Sequence, residues 1–247
     1  MLQQRPKPAT FAPHAMAMKT LGLLGGLSWE SSAEYYRLIN QGVRDALGPT
    51  HSAQILLWSF NFAELEAMQH AGDWPTLTAR MVDAARRLEE AGADTLLICS
   101  NTMHQCASAI EAQTAIPLLH IIDPTAQAIR AAGLTRIGLI GTRFTMERDF
   151  YKGRLADHHG LDVIVPDAED RAEVHRVIYQ ELVAGRIESS SREAYRGIIG
   201  RLVARGAQAI VLGCTEIMLL IGAEDSPVPL FDTTVLHAGG AVRVALG

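Results

Sequence analysis

The chain has 247 residues, of which 48% are apolar and 20% are charged, and its net charge is −5 at pH 7. This length and apolar content suit a globular protein with a full core, built as one large domain or two small ones. The acidic balance argues against a nucleic-acid partner, and no apolar run approaches the roughly 18 residues that a membrane span needs, so no membrane partner is expected either.

The N-terminal segment 1–17 contains three prolines and no hydrophobic periodicity, and it lacks the continuous apolar core of a signal peptide. We expect a flexible tail there, with Met18 as an alternative start. The three cysteines, Cys99, Cys106 and Cys214, are too few and too irregular for a disulfide framework. They predict a reducing, cytoplasmic location.

From Lys19 onward, short apolar runs alternate with longer amphipathic segments. The apolar runs predict strands at 20–24, 54–60, 94–99, 136–140, 162–165, 208–212 and 228–231. The amphipathic segments predict helices that include 30–47, 74–91, 125–132, 146–158, 192–205 and 234–246. Such alternation predicts an α/β fold with parallel sheets and helices on both faces. Gly92, Gly133 and Gly206 stand where helices are expected to end.

An internal repeat runs through this pattern. LGLLGG from Leu21 resembles IGLIGT from Ile137, and RLEEAGADTLLICSNT from Arg87 resembles RLVARGAQAIVLGCTE from Arg201. A third pair, IPLLHIID from Ile116 and VPLFDTT from Val228, keeps the same order and nearly the same spacing. The alternative to a true internal repeat is that these short sequence patterns, which are common in α/β proteins, recur here by chance.

The repeat predicts two similar Rossmann-like α/β halves related by a pseudo-two-fold, with the active site in the cleft between them. We expect 18–116 together with the C-terminal segment 222–247 to form the first half, and 117–221 the second. Ligands of parallel sheets bind beyond the carboxyl ends of the strands. The repeat therefore places Ser100 and Cys214 on opposite sides of one cleft.

Cys214 follows a predicted strand and precedes a predicted helix start, where backbone N–H groups would lower its pKa from about 8.5. The alternative is a buried structural cysteine. Ser100, Asn101 and Thr102 offer hydroxyl, amide and backbone donors that suit a carboxylate, although the same residue types also cap helices. The Gly25–Glu30 loop allows close backbone approach, and Ser28 or Ser31 can cap the helix that follows.

Several common motifs are absent from the sequence. Neither G-x-G-x-x-G nor G-x-x-x-x-G-K-[ST] occurs, so no nucleotide site is expected, and no G-x-S-x-G elbow supports a serine hydrolase. The nine histidines show no metal-ligand spacing, so no metal is expected. His104 and His120 follow strand-like runs near the cleft, and we interpret them as structural histidines.

Four motifs, GLLGGLSWESSAEYY, CSNTMH, GTRFTMERDFYKGRL and GCTEI, resemble those of the aspartate/glutamate racemase family, which works without pyridoxal phosphate. The resemblance covers 18–247 and is closest to the branch of broad-specificity amino-acid racemases and L-aspartate/glutamate-specific racemases. It implies two α/β halves, a small amino-acid substrate, no cofactor and a homodimer.

In that family two cysteines flank the substrate α-carbon. Cys214 matches the second, and Ser100 stands where the first is expected, which is the main departure from the pattern. Cys99 is one residue early, and alternation along a strand points it to the other face. The closest branch tolerates a threonine at the first position. The resemblance therefore implies an asymmetric pair, with Cys214 the stronger group and the Ser100 side weaker or acting through water.

The resemblance also implies a substrate-binding set beside the catalytic pair. Its members are Leu27, Ser28, Trp29, Gln69, Asn101, Thr102, Thr215 and Glu216. Backbone N–H groups near Ser28, Asn101 and Thr215 are candidates to hold the α-carboxylate. Arg143 and Arg171 lie in expected loops that could supply charge for an acidic side chain.

Three interpretations follow for function. The first is a racemase for acidic amino acids, in which a base and an acid serve opposite faces of the α-carbon. The second is a one-cysteine decarboxylase or an isomerase of the same superfamily, which the serine at position 100 keeps open. The third is a non-catalytic protein that binds acidic amino acids.

Overall fold

A computed structural model describes residues 18–247, so the predicted tail at 1–17 lies outside the described residues. The strands are β1 (Leu21–Gly25), β2 (Ile55–Ser59), β3 (Thr95–Ile98), β4 (Leu118–Leu119), β5 (Arg136–Gly141), β6 (Asp162–Ile164), β7 (Ala209–Gly213) and β8 (Leu230–Asp232). The α-helices are α1 (Trp29–Leu47), α2 (Phe62–Ala71), α3 (Trp74–Glu90), α4 (Ala107–Glu111), α5 (Ile122–Ala131), α6 (Arg143–Glu147), α7 (Asp149–Asp157), α8 (Ala168–Gln180), α9 (Ser189–Ala204), α10 (Ile217–Leu220) and α11 (Thr233–Leu246).

The strands form two parallel sheets with the same internal order. The first runs β2-β1-β3-β4 and the second β6-β5-β7-β8, so β1 corresponds to β5 and β3 to β7. The central strands β1, β3 and β7 are fully buried, and β5 is buried except at Arg136, as expected when helices cover both faces. This topology confirms the predicted α/β fold with two similar halves.

Each sheet has an apolar cluster on each face. In the first sheet, Leu24, Leu96 and Ile98 face α3 and α4, while Leu21 and Leu97 face α1 and α11. The turn after β1 depends on Gly26, whose φ is +72°. A Cβ there would lie 2.3 Å from the Phe60 backbone, so only glycine lets the chain turn so close to the end of β2.

The strand pairing departs from the expected division of the chain at two places. β4 bonds to β3 in the first sheet, although residues 118–119 were expected in the second half. β8 bonds to β7 in the second sheet, although residues 230–232 were expected in the first. The part of the C-terminal segment that does pack on the first half is α11, which lies against α1.

Three element predictions also need correction. The expected helix at 146–158 is two helices, α6 and α7, because Arg148 is extended at φ −89° and ψ 150°. α8 was not predicted, because its apolar contacts come from only Val174, Val177 and Ile178 among many charged residues. β4 is only two residues long and was not predicted as a strand. No helix within residues 18–247 is long and apolar enough to cross a membrane.

Three histidines are buried together beneath the site, namely His104, His120 and His237. The rings of His104 and His120 lie 4.4 Å apart, and those of His104 and His237 5.8 Å apart. His237 Nε2–H donates to the Leu119 carbonyl at 2.8 Å, and the other ring nitrogen accepts from the Tyr35 hydroxyl at 2.7 Å. Burial lowers the pKa of His237 to about 4 and that of His104 well below its usual value.

The buried histidines lead to a prediction about acid stability. The fold should begin to lose stability at a pH well above the range in which carboxylates titrate. The unfolded chain takes up protons near pH 6.5, whereas folded His237 takes one up only near pH 4. The free energy of unfolding should therefore fall as the pH is lowered from about 6.5 towards 4. Urea unfolding at pH 7.5, 6 and 5 measures this slope.

The variant His237→Gln should show a shallower pH dependence of the free energy of unfolding, with His51→Gln, at an exposed position, as the matched control. Equal slopes for His237→Gln and the unaltered protein would contradict the assignment of this effect to His237.

Candidate active site

The site lies where β3 and β7 end. Ser100 comes just after β3, and Cys214 directly follows β7, so the two occupy equivalent positions in the two sheets. Both line one narrow cleft with a cavity volume of about 30 Å³. Other lining residues come from both halves, including Leu27 from the first and Thr142 from the second. The cleft therefore lies between the halves, at the carboxyl ends of the strands.

Most of the predicted site residues line this cleft. They are Ser100, Cys214, Leu27, Gln69, Asn101, Thr102, Thr215 and Glu216. Ser28 is buried just behind them, where its hydroxyl contacts Glu216. Trp29 does not join the lining, and its side chain is 69% exposed, because the first turn of α1 carries it to the outer surface.

The Glu216 carboxylate is the hub of a hydrogen-bond network between the halves. Its Oε1 accepts from the hydroxyls of Ser28 at 2.6 Å and Ser31 at 2.9 Å, both at the start of α1. Its Oε2 accepts from Thr215 Oγ1 at 2.7 Å and from Cys214 Sγ at 3.0 Å. Ser31 Oγ also lies 2.5 Å from Thr215 Oγ1. The buried carboxylate is thus satisfied by four donors, as a buried charge must be.

The surroundings of Cys214 shift its pKa in the direction opposite to the prediction. The sequence predicted a lowered thiol pKa at a helix start. Instead, burial raises the pKa of Cys214 well above its usual value, and the Glu216 charge and hydrogen bond raise it further. The backbone N–H groups of Glu216 and Thr215 act in the expected direction but are outweighed. α10, which follows, has only four residues and so little dipole to offer.

Ser100 stands in a different electrostatic setting. Among the described residues, its hydroxyl has one hydrogen-bond partner, the Met103 backbone N–H at 3.4 Å. Its carbonyl accepts from His104 Nδ1 at 2.7 Å, and His104 Nε2 accepts from the Ile121 backbone N–H at 3.1 Å. His104 therefore has both ring nitrogens bonded, which confirms its structural role. Nothing in this arrangement activates the Ser100 hydroxyl as a base.

Cys99 points away from the cleft, as the alternation of β3 predicted. It packs with Leu21, Leu23 and Tyr35 on the opposite face of the first sheet, and burial raises the pKa of its thiol. It therefore cannot replace the cysteine that is missing at position 100.

Asn101 and Thr102 join the cleft to the second half. Asn101 Nδ2 donates to Thr233 Oγ1 at 3.0 Å, and its Oδ1 accepts from the Tyr151 hydroxyl at 2.9 Å. Thr102 Oγ1 lies 2.8 Å from Thr142 Oγ1. The Asn101 side chain is thus held by the protein frame, and the Thr102 and Thr142 hydroxyls hold each other at the cleft wall.

Sequence reasoning missed six lining residues: Phe62, Thr142, Ile178, Tyr179, Val183 and Gly213. Thr142 could have been found, because it lies in the GTRFTM motif and caps α6. Tyr179 gave no signal, because α8 was not predicted. The Tyr179 hydroxyl donates to Gln69 Oε1 at 3.0 Å and so joins α8 to α2 across the cleft.

The fold and the site define a two-sheet α/β protein with a thiol and a hydroxyl at equivalent strand ends around one polar cleft. A family model for Asp/Glu/hydantoin racemases matches residues 24–241. The chain therefore belongs to this racemase family.

Individual relatives agree with this assignment. A structure of a candidate Asp/Glu racemase from Yersinia pestis is 52% identical, with a TM-score of 0.88, and the match covers 93% of this chain and 100% of that one. The structure of PH1733, an aspartate racemase homologue from Pyrococcus horikoshii OT3, is 31% identical in sequence, with a TM-score of 0.79. The match covers 92% of this chain and 99% of that one. The broad specificity amino-acid racemase RacX of Bacillus subtilis is 22% identical over 70% of this chain and 74% of its own length.

The thiol environment leads to a prediction for Glu216. Replacing it with glutamine removes the negative charge, so the variant Glu216→Gln should have a lower Cys214 pKa and more thiolate at pH 8. The pH dependence of alkylation by iodoacetamide, located by mass spectrometry, measures this pKa. Cys99 and Cys106 are fully buried and serve as internal controls for unfolding. An unchanged or higher Cys214 pKa would refute the role given to the Glu216 charge.

Proposed function

We propose that the protein interconverts the enantiomers of acidic amino acids, aspartate and glutamate, without a cofactor. The observation that carries this proposal is the equivalence of Ser100 and Cys214, which follow corresponding strands and line one cleft. Racemisation needs an α-proton to leave from one face and another to be added at the opposite face, and two groups on opposite sides of a cleft suit this reaction.

The proposed substrate orientation follows from the charges in the cleft. The α-carboxylate fits the backbone N–H groups and hydroxyls of Asn101, Thr102, Thr142 and Thr215. Such donors also stabilise the negative charge that develops when the α-proton leaves. The α-ammonium group fits beside Glu216, the one carboxylate of the lining. Ser28 belongs to this set through its hydrogen bond to Glu216 rather than by lining the cleft.

The bound ammonium group also affects the Cys214 thiol. The Glu216 charge raises the thiol pKa in the empty cleft, and a positive charge beside it opposes that effect. Substrate binding would thus favour the thiolate that abstracts the α-proton. In the reverse direction, the Cys214 thiol returns a proton to the same face of the carbanion.

We further propose that the two directions differ. The Ser100 hydroxyl is a weak acid and a poor base, and its single partner among the described residues is a backbone N–H. The Ser100 side therefore works slowly or through a water molecule, and conversion should start better from the L-isomer, as in the branch that the sequence resembles. The same observation keeps a one-sided reaction, decarboxylation or isomerisation with protonation by Cys214 alone, as a second candidate.

The first test is incubation of the protein with L- and D-aspartate and with L- and D-glutamate in D₂O. α-Deuterium is followed by NMR and chirality by chiral chromatography. We expect deuterium incorporation with inversion, and a loss of about 100-fold or more in Cys214→Ala, because a positioned acid or base contributes about 10²- to 10⁴-fold. Cys106→Ala is the matched control, since it removes a thiol outside the cleft.

Variants at position 100 test the second face. Ser100→Cys should increase inversion and reduce the difference between L and D starting isomers, whereas Ser100→Ala should slow inversion. Exchange without inversion would indicate a one-sided enzyme. Binding of the amino acids without any exchange would favour a non-catalytic binding protein and refute the racemase proposal.

We also propose a cytoplasmic location and a homodimer. The three cysteines are unpaired, which suits a reducing compartment. Trp29 and Tyr36 lie two turns apart on the same face of α1 and are 69% and 55% exposed, which suits a surface that meets a second copy. Light scattering should give about twice the chain mass of 26.8 kDa, and Trp29→Ser with Tyr36→Ser should reduce it. A monomer in the unaltered protein would refute the dimer.

A further inference from the structure

The lining of the cleft is poorly matched to the second carboxylate of an acidic amino acid. Its residues include one acid, Glu216, and no lysine, arginine or histidine. The α-carboxylate can use backbone donors, but a side-chain carboxylate is most stable beside a cation, above all the paired N–H groups of an arginine. A cation just outside the lining would therefore decide whether the site takes acidic substrates.

Arg143 is placed to be that cation. It directly follows Thr142, which lines the cleft, and it is the first residue of α6. Its side chain is exposed, and its guanidinium carbon lies 5.7 Å from the centre of the Phe144 ring. Within residues 18–247, its guanidinium takes part in no salt bridge and no hydrogen bond.

The neighbouring arginines are already engaged. Arg148 donates to Gln105 Oε1 at 2.7 Å and lies 4.4 Å above the Trp74 ring. Arg171, the other loop arginine considered from the sequence, pairs with Glu147 at 2.9 Å. Of these three arginines in the described part of the chain, Arg143 is the one whose guanidinium donors remain open to a ligand.

Arg143 contacts a residue that packs against the cleft wall. The Arg143 backbone N–H donates to His175 Nδ1 at 3.2 Å, and the ring of His175 lies 4.6 Å from that of Tyr179, which lines the cleft, at an angle of 53°. Burial lowers the pKa of His175 to about 4, and the Arg143 charge contributes to this shift. Burial raises the pKa of Tyr179, and the Arg143 charge opposes the rise. The hydrogen bond to His175 and the adjacency to Thr142 therefore place the start of α6 beside this edge of the cleft.

We propose that Arg143 binds the side-chain carboxylate of the substrate at the Tyr179 edge of the cleft and so determines the preference for acidic amino acids. The inference rests on the proposed function, since it takes the α-carbon to lie between Cys214 and Ser100. The side-chain methylene groups would then pass the apolar residues Leu27, Ile178 and Val183.

The test compares acids with their neutral amides, which have nearly the same shape. For Arg143→Gln, kcat/KM with aspartate and glutamate should fall about 10- to 100-fold, mainly through KM, because a hydrogen bond to a charged group contributes about 1.5–3 kcal/mol. With asparagine and glutamine, kcat/KM should change less than about threefold. Arg143→Lys should keep part of the preference for acids.

Arg171→Gln is the matched control, because it removes the same charge from an arginine outside the lining. Equal losses for acids and amides, or no loss for either, would overturn the role of Arg143. Deuterium exchange by the unaltered protein tests the proposed function separately. If no exchange occurs, calorimetric titration with aspartate and asparagine compares the same variants, and absence of aspartate binding, or binding that Arg143→Gln does not weaken, would equally overturn the inference.

Discussion

The site depends on one buried carboxylate. Glu216 stands in the second half of the molecule, just after β7, yet two of its four donors, Ser28 and Ser31, come from the start of α1 in the first half. A carboxylate buried without such donors would cost several kcal/mol or take up a proton. The loop after β1 and the end of β7 must therefore meet whenever the protein is folded, and the cleft between them is defined by that contact.

The two equivalent sheets explain why the contact falls at the functional residues. Parallel strands end at one edge, and a repeated strand order places β3 and β7 in the same position within each half. When those edges face each other, residues after β3 oppose residues after β7 without any special loop. The sequence phrases CSNT and GCTE are therefore polar because they end buried strands beside a shared cleft, where solvent and a ligand can reach them.

Much of this arrangement can be predicted from the sequence, and the predictions that were missed or wrong have physical causes. The long central strands are predictable because they are continuous apolar runs, and Ser100 with Cys214 could be paired through the repeat. β4 and α8 could not be predicted, because a two-residue strand and a sparsely apolar helix owe their structure to tertiary contacts. Tyr179 was missed for the same reason, and Trp29 was misplaced because position in a motif does not show which side of a helix a residue faces.

The protonation of Cys214 shows a deeper limit of sequence reasoning. A thiol at a strand end beside backbone N–H groups suggests a lowered pKa, but the neighbour two residues on, Glu216, is folded back to accept the thiol proton at 3.0 Å. Ser100, at the matching position, has no carboxylate partner among its hydrogen bonds within the described residues. The side chains at two geometrically equivalent strand ends thus differ in their acid–base environment. The raised pKa favours the thiol form of Cys214, and under the proposed function the charge that opposes this effect is the ammonium group of the bound amino acid. In the proposed function the substrate itself would therefore promote formation of the base.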